Sequence, residues 1–401
     1  MKTAVASVVA AVALAAGATA LLAHAGATSA QPPASNPDAF TPLIQTVIAP
    51  PWPVKGSDGK YHVVYELQMV NATALPWAVR KVSVLNADDP RKVVASVTGK
   101  GISRRMVRMG DRQPTRRVGP GKAALFFAAG AFDTREEIPS GFIHRLVLRN
   151  ASKPRQGPPR VTEIGGRTGI ASGEPAVLGP PLQGARWVAA DGCCTAFRHV
   201  RSGQPYGDQL QIAQRFAIDW ERLDKRGRLF VGDKRRLRNW SGYGANILAV
   251  ADGTVVQAFN NRPNQVPGGL PEGIGPDEAD GNGVFLRLPD GRFVLYAHMI
   301  PGSVTVKAGD TVRRGQLLGR VGNSGNSQAP HLHMHVMDRN AFLGANGLPY
   351  VFDRFTITGK IASTAAFDRA EATGKPARTG PVQRGPRQNE LALDQVIVTW
   401  P

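Results

Sequence analysis

Five of the eight histidines, His199, His298, His331, His333 and His335, lie in the second half of the chain. Three of them alternate with apolar residues in Pro330-His331-Leu332-His333-Met334-His335-Val336. Residues two apart on a strand share a face. The three imidazoles therefore line one side, while Leu332, Met334 and Val336 enter the core. Same-face neighbours stand roughly 6.5–7 Å apart along a strand, and one imidazole can bind zinc at about 2.0–2.1 Å. The next can then reach a water on the metal without binding the ion itself. A hydrogen-bonded histidine face is the structural alternative for an H-x-H pair. Cys193 and Cys194 are adjacent, and neighbouring cysteines rarely meet the geometry of a disulfide. They read as a buried or loop-stiffening pair, with metal ligation a minor role. The chain has no Gly-x-Ser-x-Gly elbow and no local signature around Cys193, so a serine or cysteine nucleophile is not indicated.

The elements that must position these histidines are strands. Of the 401 residues, 42% are hydrophobic, enough for a packed core, and 45 Gly with 31 Pro imply many turns and few long helices. Stretches such as Tyr61-His62-Val63-Val64-Tyr65-Glu66-Leu67 and Phe293-Val294-Leu295-Tyr296 alternate with period two. The expectation is a mainly β protein. Residues 41–150 are expected to form a β-sandwich, with His62 and His144 structural, and residues 151–184 a Pro/Gly/Arg-rich linker. A second domain is expected over 185–356, and residues 357–401 are expected to be a basic loop with a closing strand, Val396–Trp400.

Met1-Lys2, an uncharged Ala/Val/Leu-rich run to Leu22, and the small residues of Ala23-His24-Ala25 and Thr28-Ser29-Ala30 read as a secretory signal peptide over 1–30. An uncleaved membrane anchor is the alternative. A linker follows at 31–40. The address is secreted, periplasmic or cell envelope, and the mature form is expected not to be membrane-embedded. The formal charge of +19 implies an anionic partner. Anionic envelope polymers fit that address. Nucleic acid does not, because the basic residues are scattered through linkers and turns without interleaved aromatics.

The stretch Gly319-Arg320-Val321-Gly322-Asn323-Ser324-Gly325-Asn326-Ser327-Gln328-Ala329-Pro330-His331-Leu332-His333 resembles the signature of lysostaphin-type (LytM-type) metallopeptidases. So do Ile247 to Val256, Tyr296-Ala297-His298 and Val304 to Gln316, and together these cover 246–336 in the family's order. The resemblance implies an antiparallel, barrel-like β peptidase domain, one zinc ion per chain and hydrolysis of peptidoglycan peptides. It implies that His333 binds zinc, that His331 is the general base, and that His298 lines the site and stabilises the transition state. The family also supplies a His-x-x-x-Asp pair. Asp219 fills the aspartate position, but Arg215 stands where the histidine belongs.

His199 is the nearest replacement. Ser202 to Asp208 has the composition of a turn. A hairpin turning at Gly207 sets residues 199 and 215 opposite each other, and cross-strand partners stand about 4.5–5.5 Å apart. His199 is then expected to reach the metal from the neighbouring strand, while Arg215 points away or joins a salt bridge. His199, Asp219 and His333 with one open position form the pattern of a catalytic rather than a structural zinc site. The alternative is a catalytically inactive LytM-type module that binds the wall and regulates another hydrolase, with Arg215 marking a lost ligand.

Overall fold

The structure is a computed structural model that describes residues 39–154 and 156–401. The signal peptide expected over 1–30 lies outside the described residues, as does all but the end of the linker expected over 31–40. Strands dominate, and their pairing is antiparallel apart from short parallel contacts, so the fold is mainly β as the alternating sequence requires.

Two five-stranded sheets form in the first half. Tyr61–Asn71 pairs along its length with Ala123–Phe132, and Trp77–Asn86 with Gly141–Asn150. Leu67, Met69 and Phe126 from one sheet share a core with Trp77, Phe142 and Leu146 from the other. His144 is buried there. Its Nδ1 is 3.0 Å from the Gly166 carbonyl, which can only accept, so Nδ1 carries the proton. Nε2 then accepts from the Tyr65 hydroxyl at 2.8 Å. Burial lowers this imidazole to about 4.

The region expected as a linker over 151–184 is structured in two places. Arg160–Gly169 is an edge strand on Gly141–Asn150, and Ala176–Leu178 pairs in parallel with Tyr350–Phe352. An edge strand needs only one partner and tolerates glycine and charge, so its composition hid it. Glu163 on this strand is buried, accepts from Leu43 N and Gln45 Nε2, and is pushed by burial to about 7.

The second half is built on an eleven-stranded sheet. At its middle Leu332–Met337 lies between Phe293–Met299 and Ile218–Arg222, with Ala297 opposite His333 and His333 opposite Asp219. Two adjacent strands thus bring His333 and Asp219 to one face, with Ala297 of the third beside them. Two parts of the region 357–401 differ from the expected basic loop. Thr364–Thr373 is a helix, capped by the Ser363 side chain and stopped by Gly374 at φ 65°. Val396–Thr399 lies inside the sheet, between Ala185–Ala190 and Phe355–Lys360, rather than at an edge. Its run of buried β-branched residues suits a strand with neighbours on both sides. Cys193 and Cys194, expected to be unbonded, are joined by a disulfide in the loop after Ala185–Ala190. No helix among the described residues is long and apolar enough to cross a membrane.

Candidate metal centre and cleft

Asp219 is the residue on which the site converges. Its Oδ1 is 2.7 Å from His333 Nδ1 and 3.4 Å from His331 Nε2, and its Oδ2 is 3.3 Å from His199 Nε2. Burial opposes the charge of Asp219, yet His199 and His331 hold its carboxyl well below the usual range. In return, and against burial, Asp219 raises His199 to about 9.

The backbone sets the tautomers of the rings. The Nδ1 of His199 is 2.9 Å from the Asp191 carbonyl, that of His331 is 2.7 Å from the Ala329 carbonyl, and that of His298 is 2.7 Å from the Ser324 carbonyl. A carbonyl can only accept, so each Nδ1 carries a proton and each Nε2 is the ring atom that faces the site. His333 is the reverse, with Nδ1 toward Asp219 and Nε2 2.9 Å from His335 Nδ1. His335 is fully buried, and its own Nε2 has no hydrogen-bond partner among the described residues. It sits behind His333 and fixes that ring, as outer partners of metal-ligating histidines do. The alternation of the sequence had placed His335 on this face but did not reveal that role.

One donor atom each from His199, Asp219 and His333 lies within 4.8 Å of the others, and the same holds for His298, His331 and His333. Two imidazole nitrogens and a carboxylate, with both imidazoles oriented by a further hydrogen bond, suit zinc. The route taken by His199 differs from the expected hairpin. Gln204–Tyr206 and Gln209–Gln211 do form a hairpin turning at Gly207-Asp208, but its strands are three residues long. His199 lies before it, in a single 3-10 turn, Arg198–Arg201, closed by Ser202 donating to the His199 carbonyl. The turn, rather than a cross-strand position, carries the ring to Asp219.

Arg215 points away from the cluster. Its Nε and Nη2 donate to the Glu66 carboxylate at 3.0 and 2.8 Å, and its Nη1 donates to the Gly347 carbonyl at 3.0 Å. Both members of this pair are buried. An arginine here closes the contact between the first sheet pair and the large sheet.

His298 has a φ of 64°, a conformation that costs a bulky residue on the order of 1–3 kcal/mol. The pairing of Asn282–Arg287 with Phe293–Met299 slips by one residue just beside it, and the His298 N–H donates to the Asp280 carbonyl at 2.9 Å. Gly283 permits the slip, because a Cβ there would run into the Tyr296 carbonyl. The bulge re-aims His298 out of the strand and over His331, with ring centroids 4.7 Å apart.

The cleft beside the histidines is lined by more carboxylates than the sequence suggested: Asp191, Glu221, Asp280, Asp368 and Glu371 as well as Asp219. Glu221 is two residues beyond Asp219 on one strand, so period two could have marked it. Asp368 and Glu371 come from the helix in the region read as loop. Burial, and Glu371 beside it, push the Glu221 carboxyl well above the usual range.

Residues 240–344 match the family model of peptidase family M23. This segment contains His298, His331 and His333 but neither His199 nor Asp219. The likeness to the M23 family is confined to this segment of the C-terminal half. Among solved structures, the chain is similar to the catalytic domain of lysostaphin from Staphylococcus simulans, at 20% identity and a TM-score of 0.23, over 41% of this chain and 88% of that one. It is similar to the catalytic domain of the prophage-encoded M23 protein EnpA from Enterococcus faecalis, at 19% identity and a TM-score of 0.23, over 45% and 92%. A match to Csd3 from Helicobacter pylori spans 76% of this chain and 70% of that one, at 14% identity and a TM-score of 0.24.

Proposed function

We propose that the protein is a zinc metalloendopeptidase of the cell envelope that hydrolyses peptide bonds of peptidoglycan. The observation that carries this reading is the convergence of His199, Asp219 and His333 beside His331 and His298, in a chain with an M23 segment. His199 Nε2, an Asp219 oxygen and His333 Nδ1 are the atoms that would hold zinc, and the ion would supply Lewis acidity toward a peptide carbonyl. His331 Nε2 faces the site 3.4 Å from Asp219, the atom that would take a proton from the attacking water and return it to the leaving amine.

The part played by His298 follows from its tautomer. Because Nδ1 donates to Ser324, a neutral His298 offers a lone pair to the cleft. To donate to a developing oxyanion it must first be protonated, and burial together with the charge of His331 opposes that. His298 lies over His331, with ring centroids 4.7 Å apart, and lines the cleft beside the general base.

The test is metal content with hydrolysis of purified sacculi. The wild type should hold about one zinc and cut the wall. His333→Ala should lose both. His331→Ala should keep zinc and lose roughly 10²–10⁴-fold in rate, the usual worth of a general base. Stoichiometric zinc in the His333 variant would remove this site assignment. A zinc-free wild type that still binds sacculi would favour the inactive regulatory module.

A further inference from the structure

Two of the three candidate zinc ligands are fixed by the large sheet. Asp219 and His333 stand opposite each other on paired strands, so the ladder sets their separation. His199 has no such support. It sits in the single 3-10 turn Arg198–Arg201, and an isolated turn of that length does not hold its shape in water. What fixes this turn comes from the first sheet pair.

Side chains that follow one another in a 3-10 turn leave its axis about 120° apart. His199, Val200 and Arg201 therefore face three ways. His199 faces Asp219. Val200 is buried in a cluster with Val107, Leu125 and Phe127. Val107 and Leu125 are cross-strand partners on Met106–Arg108 and Ala123–Phe132, so the turn rests on one of the two sheets of the first half. Arg201 spans the junction. Its Nε donates to the Ala196 carbonyl at 2.7 Å, in the loop that carries the turn. Its Nη2 donates to the Arg104 carbonyl at 2.6 Å, in the last turn of the helix Gly99–Arg105. The last carbonyls of a helix lack partners within it, and the guanidinium supplies one. The same group lies 4.7 Å from the Phe197 ring centre and 5.5 Å from that of Phe127. Just beyond the turn, Arg112 Nη2 donates to the Gly203 carbonyl at 2.6 Å.

We propose that Arg201 and Phe127 are positioning residues for the metal: they clamp the His199 turn to the first sheet pair and make that sheet pair a working part of the zinc centre. The clamp rests on the peptidase reading above, in which His199 holds zinc. It gives the first half of the chain, which lies outside the M23 segment at 240–344, a part in the chemistry. Without the clamp the turn samples other conformations, and zinc affinity falls with the fraction that presents His199 to Asp219.

The test measures zinc affinity of the full-length protein by competition with a chromophoric chelator. Arg201→Ala should weaken binding roughly 10–100-fold, the usual cost of losing a group that orients a metal ligand. Made in a His199→Ala background, the same substitution should change affinity little, because no ligand is left to position. This double-mutant cycle separates positioning from general loosening of the fold. Cobalt(II) in place of zinc reports the ligand set, and the visible spectrum of Arg201→Ala should shift toward that of His199→Ala. Wild-type affinity in Arg201→Ala, or an equal loss in both backgrounds, would overturn the clamp and leave the peptidase reading standing. Unchanged affinity in His199→Ala, or a wild type that binds no zinc, would remove the metal site and the clamp with it. Phe127→Leu keeps an apolar contact for Val200 but removes the ring beside the guanidinium. The same cycle run with Phe127→Leu, with a loss expected only where His199 is present, decides the matter if Arg201→Ala does not fold.

Discussion

At the scale of single residues, Asp219 organises the site and Arg215 stays out of it. The two positions differ in partner: Asp219 faces three imidazoles, and Arg215 faces Glu66. A guanidinium cannot replace an imidazole on zinc, since it has no lone pair to give. His199→Ala should therefore weaken zinc affinity strongly. Arg215→Ala should leave zinc affinity nearly intact but destabilise the fold by about 3–5 kcal/mol, because it strands the buried Glu66 charge. Zinc titration and urea unfolding of the two variants separate these outcomes, and unchanged affinity in the His199 variant would remove that residue from the site. Moving the ligand by combining His199→Ala with Arg215→His has no structural basis, because the Arg215 side chain is directed at Glu66. The histidine face was legible in the sequence because period two is a local property. The approach of His199 was legible only as a need for a ligand. The turn that delivers it depends on Ser202 folding back on the His199 carbonyl, which no periodicity records.

At the scale of elements, the edge strand Arg160–Gly169 places Glu163 close to the buried His144 of its neighbour Gly141–Asn150, with Gly165 directly opposite His144. The two groups titrate in opposite senses. His144 falls from an ordinary 6.5 to about 4, so its contribution to stability is full above 6.5 and is lost as pH falls toward 4. Glu163 rises from an ordinary 4.5 to about 7, so its contribution is full below 4.5 and is lost as pH rises toward 7. Each slope is about 1.4 kcal/mol per pH unit, and between pH 4.5 and 6.5 they cancel. Relative to wild type, Glu163→Gln should therefore gain stability with rising pH across that window. His144→Asn should lose it. Urea midpoints at several pH values measure both trends, and parallel profiles for all three proteins would show that the groups are not linked to folding. The period-two strands of the first half were legible, but this edge strand was not. Its Gly165-Gly166 and arginines read as linker composition, and only the partner Gly141–Asn150 makes it a strand. The helix Thr364–Thr373 was missed for a similar reason: a short helix followed by a Pro- and Arg-rich segment is defined by its Ser363 cap and its packing through Phe367 and Ala370.

At the scale of the whole molecule, charge is divided by location. The surplus that makes the chain +19 lies outside a cleft that is itself lined by carboxylates. Attraction to an anionic wall acts through exposed basic groups, which salt screens over about 8–10 Å. Binding to purified sacculi should weaken steeply from low to high salt, while cutting of short soluble fragments should change little. Salt-independent binding to sacculi would detach the charge from wall recognition. The order of strands has a consequence in time. Val396–Thr399 sits between Ala185–Ala190 and Phe355–Lys360, and Ala185–Ala190 in turn supports the strand that carries Asp219. A chain that emerges N-terminus first, from a ribosome or through a translocation channel, delivers every histidine of the cluster before it delivers this central strand. Until then the sheet beneath Asp219 lacks one neighbour, and the cluster rests on an unfinished support. A site that depends on this strand should mature only after Val396–Thr399 has joined the sheet, and so after all of its histidines have been delivered. A chain shortened ahead of Val396 should retain the secondary structure of the first sheet pair by circular dichroism yet fail to hold zinc, and full zinc retention in that protein would show that the delay does not exist.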